Sequence, residues 1–279
     1  MRTQEDFPVA TRLMRRVHRP AVADFYRFAR AADDVADAPG VAAVRKLAAL
    51  DRHAAGLDGR PEGSGEGRAL RARLVGLGLQ DSLAHPRDLL LAFRRDAEGA
   101  DCADWDDLMD YCALSAAPVG RLLLDLHGER REVRAHADPL CAALQVLNHI
   151  RDLAPDWRDL GRCYMPADWR RSAGADPNAL LTGRLDGAWA EVVRRALDGC
   201  DALLARSAPL AGSVADHRLA AECAATQSIA LRIARRLRGG DPLARRIRPS
   251  GLDAAGAAMR GVATWLGRAS GSRAGLRDA

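Results

Sequence analysis

The sequence predicts an all-α protein. Apolar residues recur at spacings of three and four through most of the 279 residues, runs of alternating β-branched residues are almost absent, and proline and glycine punctuate the chain where helices begin and end. The first helix spans roughly 19–38, with Pro20 suited to a first turn and Pro39-Gly40 as its stop. A second follows over 41–57, and the glycine-rich residues 56–67 read as a flexible loop. Helices over 68–77, 86–99 and 104–128 come next. Pro139, after Asp138, opens the helix over 138–157. Helices over 185–207 and 214–238 follow, the latter ended by Gly239-Gly240-Asp241-Pro242, and the last spans 252–268. Residues 268–279 read as a disordered tail. Neither segment divides the chain, so a single domain over 1–279 is expected.

The composition, 48% apolar and 28% charged, is that of a globular protein. Basic and acidic side chains number 42 and 37, leaving +5, and no long basic run is interleaved with aromatics, so there is no nucleic-acid footprint. Only Lys46 is a lysine; the other 41 basic residues are arginines, whose planar fork grips phosphate or carboxylate through two bonds. The six cysteines, at 102, 112, 141, 163, 200 and 223, form no CxxC pair or zinc spacing and read as reduced, mostly buried thiols. The N-terminus carries charges where a signal peptide needs an apolar run, and no stretch approaches the roughly 18 apolar residues of a membrane span. A cytoplasmic protein is expected, with peripheral membrane contact through an apolar mouth.

Two acidic segments carry the chemistry. Asp33, Asp34 and Asp37 end the first helix, and Asp33 and Asp37, four apart, share a face. Like charges at that spacing repel, and acids at a helix C-terminus oppose its dipole, so something must compensate them. In the second segment Gln145, Asn148 and Asp152 fall on one stripe of an otherwise apolar run, with Asp156 four residues further. Pro155 kinks or ends that helix, which leaves Asp156 less securely on the Asp152 face. Two helices that each offer an i, i+4 carboxylate pair across a cavity suit hard divalent cations. Magnesium suits them best, since it binds one or two carboxylates together with substrate phosphate oxygens. Arg30, Arg151 and Arg162, interleaved with these acids, complement a diphosphate.

Arg30 with Asp33-Asp34-Val35-Ala36-Asp37, and Gln145, Asn148, Arg151, Asp152 and Asp156 followed by Arg162 and Tyr164-Met165-Pro166, resemble the two aspartate-rich motifs of the squalene and phytoene synthase family. The resemblance runs from about residue 5 to 250. Asp6-Phe7-Pro8-Val9, Phe25 to Arg30 and Tyr111 to Gly120 are most similar to the hydroxysqualene synthases of bacterial hopanoid biosynthesis. The last stretch departs from the wider family, which usually carries a second tyrosine where this chain has Ala113 and Leu114.

The resemblance implies an isoprenoid-synthase helical bundle around a central cavity and magnesium-assisted ionisation of a prenyl diphosphate. For the subgroup it implies loss of pyrophosphate from presqualene diphosphate and capture of the cation by water, without nicotinamide. A presqualene diphosphate synthase upstream and a membrane-associated oxidoreductase downstream are the implied partners. Asp33, Asp37, Asp152 and Asp156 are then metal ligands, with Asn148 an additional oxygen. Arg30, Arg151 and Arg162 face the diphosphate, and Asp34, Tyr111, Gln145 and Tyr164 complete the substrate site. Phe25, Phe28, Tyr111 and Leu122-Leu123-Leu124 are candidate walls for the cation, against ordinary core packing. His149 is the one histidine of the seven inside a motif. Two alternatives share these residues: a head-to-head farnesyl diphosphate condensing synthase, and a catalytically silent member acting as an assembly partner.

Overall fold

A computed structural model describes residues 14–245, 247 and 255–265, and every regular element among them is helical. The segment at residues 6–9 and the tail at 268–279 lie outside the described residues.

Helices α1 (Arg19–Ala36), α2 (Ala43–Leu57), α3 (Gly65–Gly76) and α4 (Ala84–Glu98) enclose one apolar cluster around Phe28, Leu50, Leu57, Leu70 and Leu74. On α1 the buried residues Ala21, Val22, Phe25, Phe28, Ala32 and Ala36 recur every three or four positions, the stripe that binds an amphipathic helix to a core. Pro20 sits in the first turn of α1, where its missing N–H costs nothing. The segment 56–67 contributes its ends to α2 and α3. Ser64 caps α3 by accepting from Gly67 N–H at 3.0 Å and donates its own N–H to the Arg52 carbonyl at 2.8 Å. The loop crosses so close to α2 that a Cβ on Gly63 would collide with the Gly56 backbone, so glycine is needed there for close approach.

The helix expected over 104–128 is two helices, α5 (Trp105–Ser115) and α6 (Ala117–Leu126), broken at Ala116. Pro118 lies in the first turn of α6, where its missing N–H leaves no bond to the Leu114 carbonyl and suits the start of a new helix. The helix expected over 138–157 differs at both ends. α7 (Arg134–Arg151) opens ahead of Pro139, which lies inside it, because residues 131–133 already form a 3-10 turn around the buried Val133. It ends at Asp152, and α8 (Leu153–Leu160) follows with Pro155 in its first turn.

α9 (Ala167–Ala173), not expected from sequence, packs Trp169 flat on Trp105 at 5.4 Å between ring centres. α10 (Gly187–Ser207), α11 (Leu210–Ser213) and α12 (His217–Arg238) complete a second cluster, with α10 packed along α7. Asp186 and Asp216 cap α10 and α12 by accepting from first-turn N–H groups. Residues 255–265 form a further helix.

Asp125 on α6 ties the clusters, accepting from Ser82 and His85 at 2.8 Å and from Arg134 at 2.7 Å. Burial pushes its carboxyl up, but the bonds from His85, Arg134 and Ser82 outweigh that and hold it at about 2. All six cysteines are free thiols, three of them buried, and burial pushes Cys102 and Cys141 up to about 12. Burial likewise raises the other four thiols and favours the protonated form in all six.

Candidate active site

A cavity of about 540 Å3 opens between the two clusters, lined from α1, α4, α5, α6, α7, α8 and the segment to Tyr164. Sites for small ligands fall in this range, about 300–1,000 Å3. Along α1 its lining changes from Val22, Phe25 and Ala29 to Arg30, Asp33 and Asp37, a rise of about 22 Å. Opposite stand Gln145, Asn148, Asp152, Asp156, Arg162 and Tyr164. The two carboxylate pairs thus share one cavity. With Pro155 in a fresh first turn, Asp156 still donates its N–H to the Asp152 carbonyl at 2.8 Å, so the pair stays one turn apart. Leu89, Phe93, Val119, Leu122 and Leu123 form apolar wall. Phe28 and Leu124 pack in the core instead. A smaller apolar cavity, about 130 Å3, adjoins across Val119 and Leu123.

The acids that oppose the α1 dipole are compensated from three directions. Arg162 donates to Asp37 at 2.6 Å and to the Ala36 carbonyl at 2.8 Å, while the chain's lone lysine, Lys46, donates to the same carbonyl at 2.7 Å. Arg30 pairs with Asp34 at 2.9 Å and Asp33 at 3.5 Å. Cations on the last carbonyls of a helix and beside its acids counter the terminal partial charge. Gly161, at φ +63°, ends α8 in the left-handed conformation and turns the chain so that Arg162 reaches back to α1.

Three expected site residues are placed differently from the rest. Asp34 lies outside the lining, its side chain 60% exposed. Arg151 is buried behind the cavity, donating to the Ile247 carbonyl at 2.8 Å and to Asn148 Oδ1 at 3.1 Å, so it steadies Asn148. Arg162 lines the cavity but gives two donors to α1.

Sequence reasoning missed Asp96. It is buried on α4 and accepts from Tyr111 and Tyr164, each at 2.9 Å. Burial pushes Asp96 up, while Arg162 and the two hydroxyls pull it down. Burial also raises both tyrosines well above their usual range, so they remain donors. His149 stacks on Tyr164 at 3.9 Å and lies 5.9 Å from the Tyr111 ring. Burial lowers its imidazole to about 3, which leaves it neutral. The missed signal was an acid in register with Leu89 and Phe93 on the apolar stripe of α4, a position that requires hydrogen-bond partners. Arg158 and Asp159, also unassigned from sequence, join the lining.

Among the described residues no three His, Cys, Asp or Glu side chains converge as a ready ligand cluster. The donors instead stand as all-oxygen pairs on facing walls. That fits magnesium, which keeps several waters and takes one or two protein carboxylates together with substrate oxygens.

The profile of the squalene/phytoene synthase family matches residues 1–253. A hydroxysqualene synthase of Zymomonas mobilis is 38% identical over 243 residues, 87% of this chain and 82% of the relative. One from Rhodopseudomonas palustris is 39% identical with the same coverage. The crystal structure of squalene synthase HpnC from Alicyclobacillus acidocaldarius superposes with a TM-score of 0.71 at 29% identity, covering 85% of this chain and 89% of that one.

Proposed function

The chain belongs to the squalene/phytoene synthase family of prenyl diphosphate enzymes, and on that premise we propose that it ionises presqualene diphosphate, releases pyrophosphate and captures the rearranged cation with water as hydroxysqualene. Its similarity to two hydroxysqualene synthases supports this reading over a condensing one. The observation that carries it is a single cavity that passes from apolar side chains to facing carboxylate pairs flanked by arginines.

The leaving group carries roughly three negative charges, and its departure requires fixed positive partners in a site closed to bulk water. Magnesium ions held by Asp33 and Asp37 on one wall and Asp152 and Asp156 on the other, with Asn148 an additional oxygen, would supply Lewis-acid stabilisation of that charge. Arg30 binds the diphosphate from α1. Arg162 keeps Asp37 in place and adds positive field, and Arg151 steadies Asn148. Gln145 and the Tyr111–Asp96–Tyr164 group fix the wall against which the cation rearranges. Phe25, Phe93 and the aliphatic wall shield it from bulk water, and aromatic faces attract the positive charge. The reaction consumes no nicotinamide. A presqualene diphosphate synthase supplies the substrate and a membrane-associated oxidoreductase takes the alcohol. No helix among the described residues is long and apolar enough to cross a membrane, and we place the protein in the cytoplasm, meeting the membrane at its periphery.

Asp33→Asn and Asp152→Asn each test the reading. Magnesium-dependent pyrophosphate release from presqualene diphosphate should fall by about 100-fold or more, the scale of losing one preorganised charge-stabilising group. Turnover near the wild-type rate in either variant contradicts it.

A further inference from the structure

We propose that Ser115 and His149 together hold the water that captures the cation; the proposal rests on the hydroxysqualene reading above. Both residues line the cavity. Ser115 is the last residue of α5, one turn beyond Tyr111 and on the same face, and the break at Ala116 follows it directly. His149, on α7, stands beside the Tyr111 ring at 5.9 Å. The Ser115 Oγ and the His149 Nε2 are both buried and neither has a hydrogen-bond partner. Buried polar atoms are normally satisfied by protein or ordered water, and one buried water typically takes two to four such partners. Of the neighbouring polar groups, both tyrosine hydroxyls already donate to Asp96, and Gln145, one turn before His149 on α7, lines the same cavity. Two orphaned polar atoms on neighbouring helices, both in the lining of one cavity and both close to the Tyr111 ring, therefore fit one shared water.

The capture step balances with what the reaction supplies. A lone pair of the held water forms the new carbon–oxygen bond to the cation and one water O–H bond breaks. Its proton passes to an oxygen of the pyrophosphate released into the same cavity, and no oxidant or reductant is consumed. Ser115 and His149 act as positioning residues, fixing where the oxygen stands and so which fate the cation meets.

The test measures, for the full chain with magnesium and presqualene diphosphate, the molar ratio of hydroxysqualene to pyrophosphate released. Ser115→Val and Ser115→Thr match in shape and differ in the hydroxyl. The ratio should fall about five-fold in the valine variant, on the scale of losing one hydrogen bond, with other C30 products making up the balance, and return toward wild type in the threonine variant. His149→Phe should lower it in the same direction. Equal ratios in Ser115→Val and Ser115→Thr overturn the proposal, as does an unchanged ratio in His149→Phe. Absence of hydroxysqualene from the wild-type products overturns the functional reading itself, and is distinguished from failure of the pair by occurring without any substitution.

Discussion

Replacing Asp96 separates the support of the site from its chemistry. The carboxylate, 7% exposed, is the shared acceptor for Tyr111 and Tyr164, and both rings line the cavity. In Asp96→Ala two buried hydroxyls lose their acceptor at once. A buried donor left unsatisfied costs about 1–3 kcal/mol, so the variant should lose about 2–6 kcal/mol of folding stability, a large share of a typical total of about 5–15 kcal/mol. Asp96→Asn keeps one acceptor oxygen but turns an amide toward the second hydroxyl, which must then accept rather than donate. Its loss should be smaller, about 1–2 kcal/mol. Urea unfolding followed by circular dichroism measures both. The ordering Ala below Asn below wild type is expected, and a loss under about 0.5 kcal/mol in Asp96→Ala would refute the argument that this carboxylate sustains the tyrosine wall.

Arg162→Ala removes the partner of Asp37 at a pair whose side chains are both only 11% exposed. Breaking such a pair from one side costs about 3 kcal/mol, and Arg162→Lys should restore only part of it, because an ammonium cannot reproduce the fork that spans Asp37 and the Ala36 carbonyl. Chemical denaturation of the two variants checks this. For His149 the folded-state value is lowered by burial from 6.5 to about 3, so in acid the unfolded chain takes up a proton that the folded chain refuses. Its contribution is complete above pH 6.5 and is lost as the pH falls from 6.5 toward 3, at about 1.4 kcal/mol per pH unit. Stability measured between pH 7 and pH 4 should therefore fall less steeply in His149→Phe than in wild type.

Much of the fold was legible because it rests on local signals. The apolar stripe of α1, Pro20 in its first turn and Gly239 at the end of α12 are written in a few consecutive residues. The breaks were harder. Pro118 and Pro155 each belong to the first turn of a new helix, and whether a proline kinks a helix or starts one depends on what the neighbouring turns pack against. For the site, the acids spaced four apart are readable as pairs in the sequence, and the structure brings both pairs into the lining of one cavity. The partners of the arginines were not legible. Arg162 meets Asp37 across 125 residues of chain and Arg151 meets Ile247 across 96, pairings that only the tertiary fold creates. Asp96 was hidden for the same reason, since its two tyrosines come from α5 and from the segment after α8. The compensation required for acids at the end of α1 was legible as a demand, while its source in Lys46 and Arg162 was not.

The central claim is that this chain acts on presqualene diphosphate and ends the reaction with water. Mass spectrometry of the C30 products after separate incubations with farnesyl diphosphate and presqualene diphosphate, each with magnesium and with or without reduced nicotinamide, tests it most directly. Hydroxysqualene from presqualene diphosphate alone, independent of nicotinamide, with no C30 product from farnesyl diphosphate, is the expected result. Formation of presqualene diphosphate, squalene or another C30 compound from farnesyl diphosphate would contradict it.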